Sequence, residues 1–118
     1  MTPLPLADRA TLQARWLDLT RHVLPRSAAA RDWPVSADHC FQRILLDNAL
    51  GGCWYDHVAG RPAYAHISDT ELIAAVRLGE AVLAGADLHA LNARSLAWRR
   101  AAKRAAAAPV TAPVSRDA

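Results

Sequence analysis

Cysteine occurs only twice in 118 residues, glycine five times and phenylalanine once. Two thiols are too few for the disulfide framework of a small secreted domain, and they read as free cysteines of a reducing cytoplasm. No apolar run approaches the roughly 20 residues that a membrane span needs. Met1 to Leu6 lack both the basic start and the apolar middle of a signal peptide, so a cytoplasmic protein is expected. Neither a C-x2-C nor an H-x3-H pair is present, and zinc sites are built on such short spacings. Only Cys53 and His57, three residues apart in between, suggest a chelating pair, and no metal or other cofactor is expected.

Charge of both signs is present but unevenly spread. Residues 1–86 carry eight arginines against nine acids, a balance of −1. Residues 87–118 carry six bases against two acids, a balance of +4. The net +3 therefore belongs to the end of the chain. All but one of the basic residues are arginine, which together with the abundant alanine fits the coding bias of a GC-rich genome as well as it fits a nucleic-acid partner.

What is there in quantity is alanine, leucine and arginine, which favour helix. Leu12, Trp16, Leu19 and Val23 step by four, three and four, which predicts helix one over about 8–23, stopped by Pro25. A connector over 25–35 carries Trp33 as a lid on the core. Ser36 is the expected N-cap of helix two, about 37–50. On that helix Cys40, Phe41, Ile44, Leu45 and Asn48 share one face, and His39, Arg43 and Asp47 form a polar stripe at i, i+4, i+8. Gly51-Gly52 supplies a left-handed stop.

Residues 53–67 are the least regular part, with one helical turn over 53–58 and a turn at Gly60-Arg61-Pro62. Ser68-Asp69-Thr70-Glu71 has capping-box spacing and opens helix three, about 69–84. Gly79 inside it costs about 1 kcal/mol against alanine, and a close helix crossing is the usual compensation. Asp87 caps helix four, with Leu88, Leu91, Ser95 and Trp98 on one side, which frays within 105–108. The expected fold is an all-α bundle of four main helices with a long irregular connection between helices two and three. A single helical domain is expected over 1–106, followed by a disordered tail over 107–118.

The chemically capable side chains crowd between Asp38 and Tyr64. Trp54, Tyr55, His57, Arg61 and Tyr64 lie on the irregular connection, and aromatics with polar tips suit pockets and interfaces. Set against the stripe of His39, Arg43 and Asp47, they outline a ligand site with aromatic walls and both signs of charge. Such a site suits a small polar ligand or a protein partner. The same aromatics would equally pin the connection to the bundle. A second reading is a small enzyme using Cys40 or His57, with Asp47 or Asp56 orienting an imidazole. Cys40, however, sits on an apolar face, and His39 points about 100° away from it on a helix. A third reading is nucleic-acid contact through Arg94, Arg99, Arg100, Lys103 and Arg104. Cations also stabilise a helix C-terminus, and those arginines are expected to stay in water, so a nucleic-acid role and a membrane role are not expected.

Three segments carry a resemblance: His39-Cys40-Phe41-Gln42-Arg43-Ile44-Leu45-Leu46-Asp47-Asn48, Gly52-Cys53-Trp54-Tyr55, and Leu91-Asn92-Ala93-Arg94-Ser95-Leu96-Ala97-Trp98-Arg99. Over about residues 10–100 the chain resembles a group of short bacterial proteins, some labelled GCN5-related N-acetyltransferase. That label implies a mixed sheet whose Q/R-x-x-G-x-G/A loop cradles acetyl-CoA. The chain has neither that loop nor a strand pattern, so the resemblance carries no catalytic residue over to it.

Overall fold

A computed structural model describes residues 8–107. Among them every regular element is helical and no strand occurs, giving the all-α bundle of four main helices. No helix among the described residues is long and apolar enough to cross a membrane.

The first main helix is a broken rod. It comprises α1 (Arg9–Asp18), a π turn (Leu19–Val23) and α2 (Leu24–Ala28). Asp8 caps it: its carboxylate accepts the Thr11 N–H at 3.1 Å and the Thr11 hydroxyl. The Thr11 hydroxyl first, and then its amide, hold Asp8 below the usual carboxylate range. Pro25 does not end the helix as expected. A proline has no N–H to donate, and its ring presses on the carbonyl four residues back. The π turn widens the helix just before it, with the Leu24 N–H reaching the Leu19 carbonyl five residues back. Pro25 then falls in the first turn of α2, where an N–H is dispensable. In consequence Leu24, not Val23, continues the buried face of Leu12, Trp16 and Leu19. Thr20, fully buried in the π turn, donates to the Trp16 carbonyl at 2.9 Å and accepts from Gln42 at 3.0 Å.

Trp33 lies on the core as expected, edge-on to Phe41 at 5.7 Å. Arg31 stacks beside it and donates to the carbonyls of Val82 and Leu83, closing the far end of α4 (Asp69–Leu83). Next in the chain, α3 (Asp38–Leu50) starts without the predicted Ser36 cap. Ala37 holds the cap position, and the Asp38 carboxylate instead accepts the exposed His39 N–H at 2.7 Å. Gly51 ends α3 at φ 77°, the left-handed geometry that favours glycine.

The irregular connection contains two 3-10 turns, Trp54–Asp56 and Ala63–Ala65. Ser68 and Glu71 then form the predicted capping box at the start of α4, at 3.1 and 2.9 Å. Gly79 lies where α4 crosses the rod and α3. A Cβ there would stand 2.5 Å from Leu19 Cδ2 and 3.2 Å from Leu45 Cδ1. The cost of a mid-helix glycine is thus exchanged for close approach. Asp87 accepts the Ala90 N–H at 3.0 Å and opens α5 (Leu88–Ala107). The helix runs through the alanine segment to Ala107. Ala107, the first residue of the expected tail, is still helical; the first seven residues of the expected domain and the rest of that tail, from 108 on, lie outside the described residues.

The core is where the rod, α3 and α4 meet. Trp16, Leu19, Phe41, Ile44, Leu45, Leu72 and Val76 are all fully buried there.

Candidate functional site: a polar seam and the groove at its end

α3 has a second inward face, and it is polar. Its Arg43, Asp47 and Asn48 meet Asn92, Ser95 and Arg99 on α5. Arg43 donates to the Ser95 hydroxyl at 2.8 Å and to the Asn92 side-chain oxygen at 2.9 Å. Ser95, fully buried, donates to Asp47 Oδ2 at 2.6 Å. Arg99 grips the same carboxylate at both oxygens, Nε to Oδ2 at 2.8 Å and Nη2 to Oδ1 at 3.1 Å. Asn48 donates to the carbonyls of Ile44 and Leu91 and accepts from Arg94.

Asp47 has no exposed surface, and an unpaired carboxylate in that position would be costly. It is fully partnered. Besides Ser95 and Arg99, the Trp54 backbone N–H donates to its Oδ1 at 3.0 Å. Burial works against the charge on Arg99, but hydrogen bonds to Asp47 and Tyr55 and the attraction of Asp47 outweigh it. The guanidinium is therefore held even more firmly protonated than usual. A buried network satisfied in this way fixes one arrangement of its helices, because any slip leaves a donor or acceptor bare.

The bond from Trp54 carries the seam outward. It ties the Trp54–Asp56 turn to the buried carboxylate, and so sets where Tyr55 stands. Tyr55 is 53 % exposed, a high value for a large aromatic. Its ring lies 4.4 Å from that of Trp54, centre to centre. Two guanidiniums flank it: Arg99 at 4.8 Å and Arg61 at 5.3 Å from the ring centre. Between this turn and the last turns of α5 runs a groove of about 370 Å³, lined by Cys53, Tyr55, Asp56, Arg99, Ala102 and Lys103, with Ala106 at its end. Cys53 is a free, buried thiol at its inner wall.

The residues singled out from sequence divide among five places. Arg43 and Asp47 belong to the seam. Trp54, Tyr55 and Arg61 form the stacked cluster beside the groove. Tyr64 is half-buried against the core, and its carbonyl accepts from Arg9. His57 folds back on Gly52, where its Nε2 would stand 2.8 Å from an added Cβ. The His39 side chain is 80 % exposed, beyond the end of the seam. Of the α3 stripe, Arg43 and Asp47 thus face α5, Asp47 also reaches the irregular connection through the Trp54 N–H, and His39 stands in solvent. Among the described residues no three His, Cys, Asp or Glu side chains gather closely enough to hold a metal ion.

Asn92 and Ser95 are not expected from sequence as site residues, and Arg99 is expected only as a contact to nucleic acid. A signal existed. They recur at i, i+3 and i+7 on the side of α5 that also carries Leu88 and Leu91, so a polar line runs along an inward face. Arg99 also departs from the expectation that the arginines of this helix stay in water, because the Asp47 carboxylate draws it inward. Comparison with known proteins finds no matching family model, no similar curated protein and no similar solved structure.

Proposed function

We propose that the chain is a non-catalytic binding module for a small polar ligand, and that its site is the groove between the Trp54–Asp56 turn and the end of α5. The observation that carries this reading is Tyr55: an aromatic held half out in solvent, fixed from below by a buried carboxylate and flanked by cations, at the edge of a cavity. Preorganisation of this kind lowers the ordering cost of binding. A volume of about 370 Å³ lies at the lower end of the range for small-molecule sites.

A nucleophile reading draws less support. Ser95 is fully buried and already donates to Asp47. Cys40 is half-buried beside a His39 whose ring stands in solvent. The test is ligand-observed NMR of the full chain against a mixed panel of polar metabolite-sized compounds, run in parallel on Tyr55→Ala. Hits on the wild type that vanish in the variant are expected. Hits that bind the variant equally well would move the site away from the groove, and an empty panel would remove the reading.

A further inference from the structure

Resting on that reading, we infer that the groove takes a small organic anion: a carboxylate or phosphate headgroup on a compact apolar body. The charge around the groove decides the sign. Asp47 spends its charge on Arg99, through two hydrogen bonds that use Nε and Nη2. The same guanidinium also bonds to the Tyr55 side chain and lies over its ring. Lys103, one helical turn further on, shares that side of α5 and has no carboxylate within ion-pair distance among the described residues. Arg61 adds a third cation across Tyr55. The one acid on the groove wall is Asp56. Arg61 and Lys103 against Asp56 leave an excess of one positive charge, and their cationic heads suit a planar or tetrahedral oxyanion.

The rest of the lining sets the body of the ligand. Ala102, Ala106 and the Tyr55 ring offer apolar walls, and the space suits a single ring or a short chain, not an extended polymer. Asp47 is a positioning residue in this scheme. It holds both the Arg99 guanidinium on the groove wall and the turn that carries the ring.

The test is a two-dimensional NMR titration of the full chain near physiological salt with four matched probes: benzoate, phenyl phosphate, benzamide and benzylammonium. Saturable shifts at Tyr55, Ala102 and Ala106 are expected for the two anions. At least tenfold weaker binding is expected for the neutral and cationic probes. Preference between benzoate and phenyl phosphate identifies the headgroup. Two substitutions act in opposite directions: Lys103→Gln weakens anion binding about fivefold, and Asp56→Asn strengthens it by a similar factor. Neither side chain is buried, so both variants keep the fold. Benzamide or benzylammonium binding as tightly as benzoate overturns the anion while leaving a binding groove. Failure of all four probes to move any groove resonance overturns the anion outright, and the wider panel above then decides whether the groove binds at all.

Discussion

On one side α3 meets the helical rod and α4 through Phe41, Ile44 and Leu45; on the other it meets α5 through Arg43, Asp47 and Asn48. The first contact is made of side chains without direction. Its stability grows with the area hidden from water, and it tolerates small adjustments of angle. The second is made of donors and acceptors aimed at one another, several of them charged. It adds less by area and demands far more by geometry. The apolar side therefore holds the bundle together, and the polar side decides where α5 lies along α3. That second decision matters for the groove, since Lys103 and Ala102 stand on α5 while Tyr55 hangs from Asp47.

Substitutions on the two sides should part company in what they disturb. Trp16→Ala removes the largest fully buried side chain and is expected to lower stability by about 3–5 kcal/mol. Chemical denaturation measures this, and the groove resonances of the remaining folded protein should stay where they are. Asp47→Ala is expected to cost about 3 kcal/mol by leaving Arg99, Ser95 and the Trp54 N–H without their acceptor. Unlike the first variant it should also shift the NMR resonance of the Trp54 indole and speed hydrogen exchange at the Trp54 amide. A Trp54 spectrum unchanged in Asp47→Ala would break the distinction between the two sides. Ser95→Ala removes one bridge between Arg43 and Asp47 and should cost about 1–2 kcal/mol, with a smaller change of the same spectroscopic kind.

The smallest effect concerns Asp8, which belongs to neither side and serves as a control. Its folded acidity is shifted below 3.8, mainly by the Thr11 hydroxyl. A carboxylate with a depressed folded value adds stability that is complete above its ordinary value. That stability drains away as pH falls through the folded one. An NMR titration of Asp8 should find its midpoint below 3.8, and Thr11→Ala should return it toward that value.

How much of this was written in the order of residues differs between the two sides in the same way. The apolar spacing of Leu12, Trp16 and Leu19, the Ser68–Glu71 capping box, the Gly51 stop and the crossing at Gly79 are local patterns, and all are met in the fold. The seam joins residues 52 apart, and nothing local announces that Asp47 and Arg99 are partners. A polar stripe on one helix reads as a solvated face until a second polar stripe is found to cover it. The groove is further removed still, because Tyr55 stands where it does through a backbone N–H, which every residue but proline possesses.

The π turn has a consequence for how the chain can vary in length. Leu19 and Leu24 are five apart, and in a regular helix residues five apart point about 140° from each other. The widened turn absorbs the surplus and keeps both leucines in phase with the core. It works as a phase corrector, one residue too many for a straight helix and the right number for this one. Removing the exposed Arg21 would leave the two leucines four apart, about 40° from each other in a regular helix, so a straight rod would still carry both into the core. Pro25 would then sit inside an uninterrupted helix, without the widened turn that makes room for its ring. The segment from Leu19 to Val23 is thus a place where the helix takes up one extra residue without losing the core on either side.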